Sequence, residues 1–501
     1  MTLPNSTSTA LAAIDMGSNS FRLEIAQLQQ GRYRRQLYLK ETVRLGAGLD
    51  EQGMLTEAAM ERGLNCLARF AVELRGYAPE RVRAVATQTL REARNRDAFL
   101  RRAELALGFP IEVISGREEA RLIYAGVARL QRSEQPRLVI DIGGRSTEMI
   151  LGQGTTPELA ESFQVGSVSL SLRFFPDGRF TPEAFRAAQI AAGAELEEAL
   201  ALFERSRWQE ALGSSGTVGA VAQLLAGSGI TDGSITPEAL RWCIEQCLRA
   251  GHIDQLDLPG LKDDRRAVVG GGLCILYTLL TQFGIERLQP TKGALRQGVI
   301  FDLDARLMVQ RSGRQGDMRE HSVAALQQRF GVDVEQARRV GRLAQSLYKQ
   351  LQPDATREQW RELGWAADLH EIGMMVSHHD HHRHSAYLLA HVDAPGFSQS
   401  QLRRLADLVL GQRGGLRKLD TQFASDPHLV WQVLALRLAV LTCHAREPVS
   451  GRALSLSRER QQVLLKPAKR WAATHPRAVY LLREEAEAWS KSEQLRVLLD
   501  S

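Results

Sequence analysis

Two stretches decide the fold: Leu11–Phe21, LAAIDMGSNSF, and Leu138–Met149, LVIDIGGRSTEM. Each runs from an apolar strand through Ile-Asp into a short turn of small residues and a second strand-like run, an internal repeat. Asp15 and Asp141 hold the same place in the two copies. Gly17, Gly143 and Gly144 permit tight turns that leave backbone N–H groups open to phosphate oxygens. Ser18, Asn19, Ser20, Ser146 and Thr147 add side-chain donors. The aspartates would repel an anion held there unless they bind a divalent cation such as Mg²⁺, or Mn²⁺ in its place, or position water. One such turn fits an ordinary hairpin, whereas two in the same setting point to paired phosphate loops. A third segment, Ala211–Leu225, reads as a strand end, a Gly/Ser turn and a helix, where Ser215, Gly216 and Thr217 offer donors at a helix start. Gly293–Gly298, GALRQG, adds a turn with a cation at Arg296.

Candidate catalytic carboxylates follow a short strand, Ile111–Ile114. Ser115 is a helix cap, and Glu118 and Glu119 lie in the first helical turn, where acidic residues also suit the helix dipole. Hydrolysis of a phosphate anhydride needs a group to orient or deprotonate water, and a helix start beside a cleft is a rigid mount. Glu148, just after the second loop, is a further candidate that can approach Asp141. Arg91, in TQTLR at Thr87–Arg91, is placed to clamp two phosphate oxygens, with a surface role as the competing explanation.

The wider composition is that of a globular protein of two to four domains, with 501 residues, 44% apolar and 24% charged. Lys plus Arg exceed Asp plus Glu by 64 to 58, a net +6 that suits an anionic partner, and no nucleic-acid module appears. Met1–Ala10 lacks the features of a secretory signal, so a cytoplasmic protein is expected, with peripheral membrane attachment left open. Ala267–Ile285 is free of formal charge, yet its Gly, Thr and Gln content reads as a buried packing helix. Cys66, Cys243, Cys247, Cys274 and Cys443 lack zinc-site spacing and read as reduced core residues.

Seven of the 12 histidines fall between His370 and His391, and His378, His379, His381, His382 and His384 lie within seven residues. His370 recurs with Leu363, Ala367 and Met374 at helical steps, as a half-buried histidine would. No complete metal-ligand set is evident. Arg306–Arg319 is basic and polar and reads as a linker; its Arg306, Arg311, Arg314 and Arg319, together with Arg265, Arg266 and Lys292, could steer a long polyanion. Ala453–Ser501 has strand-like runs and a closing helix, as a small last domain would.

Taken in order, these motifs resemble the bacterial exopolyphosphatase and guanosine pentaphosphate phosphohydrolase family. The matching pieces are DMGSNSF at Asp15–Phe21, ATQTLREA at Ala86–Ala93, ISGREEARLIYAGV at Ile114–Val127, DIGGRSTE at Asp141–Glu148, SSGTVGA at Ser214–Ala220 and GALRQG. The likeness continues through LHEIG at Leu369–Gly373, HRHSAYLL at His382–Leu389 and PGFSQSQ at Pro395–Gln401. It implies an α/β actin-like fold of the acetate kinase, Hsp70 and actin type, built from duplicated ribonuclease-H-like domains at 1–130 and 131–305. An all-helical HD-like domain at 306–450 and a small α+β domain at 451–501 complete the expectation. His370-Glu371 stands where an HD enzyme has His-Asp, which argues against a second metal-dependent active site. The resemblance also implies Glu119 as catalytic base, Asp141 and Glu148 as metal- and water-positioning groups, Mg²⁺ with K⁺ stimulation, and a homodimer. Two departures add positive charge: Arg145 replaces a small residue of the second loop, and Arg22 stands where relatives often have His. Release of terminal phosphate from inorganic polyphosphate is therefore the first expectation, with the 5′-phosphate of guanosine pentaphosphate (pppGpp) as the alternative. A sugar or acetate kinase and a non-catalytic actin-like scaffold are the rival classes.

Overall fold

The computed structural model describes residues 10–29, 32–312, 317–492 and 494–500, the side chains at 264 and 309–312 excepted. The chain forms two compact units, Met1–Arg314 and Gln315–Ser501.

The repeat read from sequence is a repeat of whole sheets. In the first, β1 (Leu11–Met16), β2 (Phe21–Gln29) and β3 (Arg32–Glu41) form an antiparallel meander, and β4 (Val82–Ala86) and β5 (Ile111–Val113) add in parallel beyond β1, giving the order β3-β2-β1-β4-β5. In the second, β6 (Arg137–Ile142), β7 (Thr147–Gln153), β8 (Thr156–Phe163), β9 (Glu210–Ser214) and β10 (Gln289–Pro290) repeat it as β8-β7-β6-β9-β10. The central strands β1 and β6 are buried throughout, which suits their unbroken apolar runs. The cross-strand partner of Asp15 is Arg22, and that of Asp141 is Glu148, so the two copies place opposite charges at one equivalent position. This is the actin-like architecture expected.

Helices Gly116–Leu130 and Leu295–Ser312 share one core with Ala13 and Val85 of the first sheet and Val139 and Leu212 of the second. They cross at glycines. A Cβ on Gly298 would fall 1.7 Å from the Leu122 carbonyl oxygen, and one on Gly126 would fall 2.4 Å from that of Ala294. Buried charges bind the same crossing. Arg121 grips both oxygens of Glu118 at 2.8 Å and Asp302 at 2.7 Å, and Arg83 of β4 reaches Asp302 at 2.8 Å. Burial alone would raise the Asp302 carboxyl, but Arg306, Arg121 and Arg83 outweigh it and hold it well below the usual range.

The charge-free stretch forms the packing helix Val269–Gln282, and among the described residues no helix is long and apolar enough to cross a membrane. All five cysteines are buried and free. The expected linker is mostly helix: Leu295–Ser312 runs on past Arg306, which bonds Asp302 at 2.7 Å, and Arg319 is buried against Asp317. Neither arginine is available to steer a polyanion; Arg314 and the Arg311 side chain lie outside the described residues.

The second unit is helical around the buried helix Leu429–Thr442, whose Arg437 pairs with Glu485 at 2.8 Å. A small sheet joins its core: β11 (Leu454–Glu459) pairs antiparallel with β12 (Gln462–Pro467), and β13 (Arg496–Leu499) lies parallel to β12.

The crossing predicts that Gly298→Ala lowers the unfolding free energy by about 3 kcal/mol. Urea denaturation checks this, and a midpoint equal to wild type would mean that the helices separate at no cost.

Candidate active site

The turns after β1, β4 and β6 and the helix start after β9 face one cavity of about 350 Å³. The first loop contributes Gly17, Ser18, Asn19 and Ser20, the second Gly143, Gly144 and Ser146, and the third segment Ser215, Gly216 and Thr217. The loops stand close together, for a Cβ on Gly144 would come within 3.1 Å of Ser18 Cβ. The carbonyls of Ser18 and Asn19 accept from Gly46 and Arg44 at 2.8 and 2.9 Å, away from the cavity. Asn19 Nδ2 and Ser20 Oγ are buried without a protein partner, a costly state that a ligand oxygen would relieve. β9 runs directly into helix Ser215–Gly227, and Ser215 holds φ +92°, a strained conformation for a residue with a Cβ.

Asp15, Glu119 and Asp141 line the cavity, with Glu148 buried behind them. Asp15 accepts from Arg22 at 3.2 Å and Arg296 at 3.3 Å. Arg296 also bonds the buried Glu24 at 3.2 Å; it lies in the first turn of helix Leu295–Ser312 rather than in the expected loop turn. Burial pushes Glu119 up to about 7, with Asp141 and Asp15 adding to the rise and Arg91 opposing it. Burial likewise raises Asp141 to about 6, against a hydrogen bond from Ser214. Glu148 is raised well above the ordinary range by burial, then by Glu119 and Asp141; it accepts from Ser162 at 2.8 Å.

The Glu118/Glu119 alternative resolves on geometry. Ser115 caps the helix by accepting from the Glu118 N–H at 3.2 Å, as expected. Glu118, one residue round the helix, is held by Arg121 in the ion network, while Glu119 faces the cavity.

Some candidate residues do not reach the cavity. Arg91, expected to clamp phosphate, donates to Glu119 at 2.9 Å, the Ile114 carbonyl at 3.0 Å and Gln88 at 2.8 Å; only its Nη2 is buried without a partner. Arg145 turns away to Glu92, and Thr147 is fully buried, donating to the Val165 carbonyl at 2.6 Å. Arg266 pairs with Asp263 at 3.2 Å and Lys292 lies off the cavity, whereas Arg265 lines it. Sequence reasoning missed Tyr38, Lys40, Thr87, Ser167 and Lys262, all of which line the cavity. Thr87 sits inside a motif already quoted, and its place at the C-terminal end of a parallel strand was the signal for it.

In the second unit, His370 is buried with Nδ1 at 2.7 Å from the Ala367 carbonyl, and burial lowers its pKa. His381 and His382 are pushed down to about 4 by burial. Among the described residues no three or more His, Cys, Asp or Glu side chains form a ready metal cage.

Paired backbone loops facing a set of buried carboxylates, on lobes of actin-like topology, form a site built for phosphate groups. Residues 25–307 match the Ppx/GppA phosphatase family, and residues 318–486 match domain III of Ppx/GppA phosphatases. The chain belongs to this family. It is 35% identical over 489 residues to a guanosine-5'-triphosphate,3'-diphosphate pyrophosphatase of Photobacterium profundum, covering 96% of each chain. A protein of the same description from Vibrio cholerae is 37% identical over 480 residues, 95% of this chain and 94% of that one. A solved exopolyphosphatase structure from Cytophaga hutchinsonii is 26% identical with a TM-score of 0.53, covering 59% of this chain and 98% of that one.

Two variants separate the adjacent glutamates. Glu118→Gln leaves buried arginines short of a counter-charge and costs about 3–5 kcal/mol of stability. Glu119→Gln, which gives up the Arg91 charge pair but also relieves the repulsion from Asp141 and Asp15, costs less stability than Glu118→Gln and loses phosphate release; the reverse pattern would exchange their roles. Burial of the carboxylates, and then their crowding, gives a second expectation. The folded state binds more protons than the unfolded one between the ordinary Glu pKa and the raised values, so stability falls as pH climbs through that window. Glu148→Gln therefore raises the melting temperature at pH 8 by about 2–4 °C, with the gain shrinking toward pH 4. A gain that is equal at both pH values would remove the repulsion argument.

Proposed function

We propose that this protein hydrolyses the 5′-terminal phosphate of pppGpp. The observation that carries the reading is the likeness, at 35–37% identity over nearly the full length, to relatives named for that nucleotide. The cavity is compatible with a nucleoside: beyond the loops it continues along the helix face at Gly216, Gly219 and Ala220, past Lys262 and Arg265. The order expected from sequence, polyphosphate first, is reversed. It rested on Arg22 and Arg145, and both guanidiniums are bonded to carboxylates of the protein, at Asp15 and Glu92. Neither adds free charge for a longer polyanion.

In this reading the loops and the unpartnered Asn19 and Ser20 donors hold the terminal phosphate, and Glu119 accepts a proton from water attacking in line with the leaving chain. Arg91 holds the Glu119 carboxylate in place. The oxygen-rich, mutually repelling donor set suits a hard divalent cation such as Mg²⁺. Asp141 and Glu148 would hold it, because Asp15 already accepts from two arginines, and phosphate oxygens and water would complete its shell. When bound, the ion supplies charge neutralisation to the transferring phosphoryl group.

Initial phosphate-release rates on pppGpp and long-chain polyphosphate, with Mg²⁺ and K⁺ present, test the substrate. A higher kcat/KM on pppGpp is expected, and preference for polyphosphate would overturn it. The pH profile tests the base. Glu119 acts only when ionised, so turnover falls as pH drops below about 7. Arg91→Ala removes the charge that opposes the rise and moves this limb to higher pH; a limb unmoved by Arg91→Ala or Glu119→Asp would exclude Glu119 as its source.

A further inference from the structure

Arg145 belongs to the second phosphate loop, but its side chain crosses to the first lobe. Its Nε donates to Glu92 Oε2 at 2.8 Å, Nη2 lies 2.6 Å from the same oxygen, and Nη1 reaches the Gly46 carbonyl at 3.3 Å. The contact continues inward along helix Gln88–Glu92. Gln88 Nε2 donates to Glu92 Oε1 at 2.7 Å, Arg91 Nε donates to Gln88 Oε1 at 2.8 Å, and Arg91 Nη1 donates to Glu119 Oε2 at 2.9 Å. A continuous path of charged and amide groups thus joins a loop of one lobe to the carboxylate that faces the cavity from the other.

The path is built into the backbone. A Cβ on Gly46 would lie 3.0 Å from Arg145 Cδ, Ser18 Cβ and Thr89 Oγ1 alike, so the arginine passes through a slot that any side chain at Gly46 would crowd. A Cβ on Gly166 would stand 2.3 Å from the Arg145 nitrogen, which fixes the loop backbone beneath it.

We propose that Arg145 is a positioning residue for Glu119, acting through Glu92, Gln88 and Arg91 when the second loop is seated on the first lobe. The proposal rests on Glu119 as the base. Arg145 occupies Glu92 and so keeps that carboxylate from competing with Glu119 for the neighbouring Arg91. Without Arg145, Glu92 is an unmatched carboxylate one residue from Arg91, and Arg91 has two acceptors to choose between. The Arg145 and Glu92 side chains are 22% and 29% exposed, so water reaches whichever charge is left behind, and the melting temperature reports directly whether the fold survives the loss.

The test is steady-state kinetics of the full chain with R145A, R145K, E92A and R145A/E92A, alongside melting temperatures. R145A should lower kcat on the order of ten- to a hundredfold with KM little changed. R145K should recover most of that loss. The double variant should recover toward the rate of E92A alone, because removing Glu92 also removes the carboxylate that would compete for Arg91. A raised KM with unchanged kcat would make Arg145 a phosphate grip and overturn the proposal, as would wild-type kinetics in R145A or independent, multiplicative losses in the double variant. E119Q in the same series keeps two failures apart: if it turns over normally, the base assignment fails whatever Arg145 does. The path concerns the water side of the reaction, so it is read on whichever anhydride the wild type cleaves faster.

Discussion

Asp15, Glu119, Asp141 and Glu148 converge on one buried space, and the mutual repulsion of their carboxylates shapes everything around them. Three of them are raised by burial first and by each other second. Cationic partners make the arrangement tolerable: Arg22 of the neighbouring strand and Arg296 at Asp15, and Arg91 at Glu119. A fold that assembles such a set retains it for chemistry, because apolar side chains in the same places would be more stable.

Holding it together is the task of the two helices that cross between the sheets. Their approach needs Gly126 and Gly298, and their buried charges include the glutamate adjoining the proposed base. Adjacent helix positions point about 100° apart, so tying Glu118 to Arg83 of β4 and Arg121 to Asp302 of the other helix also sets the rotation at which Glu119 meets the cavity. Stability and orientation are thereby carried by neighbouring residues with separate partners.

The loops, their aspartates and the capped helix were legible because each is a local pattern: an apolar strand ending in Asp, a run of small residues, a Ser three residues before Glu. The partners of the cations were not. Arg145 and Arg91 looked like phosphate ligands because sequence displays a charge without its counter-charge, and Glu92 lies 53 residues from Arg145. Arg306 and Arg319 read as a basic linker although both sit in helices against aspartates only four and two residues away, a pairing that helix geometry alone decides. Tyr38 and Lys40 went unnoticed because β3 is a largely exposed strand with no motif, and only the folding of its end against the first loop brings them to the cavity.

The equivalent position opposite each loop aspartate is Arg22 in one copy and Glu148 in the other. By topology the two sheets are interchangeable, and a symmetric cleft would greet a phosphate chain identically from either side. That pair of positions is one place where the symmetry breaks. One arm closes on itself as a neutralised salt bridge, while the other sets two buried carboxyls side by side whose ionisation burial resists, so the cavity acquires a chemical head and tail. The repeat supplies the cradle, and differences such as this one give it a direction.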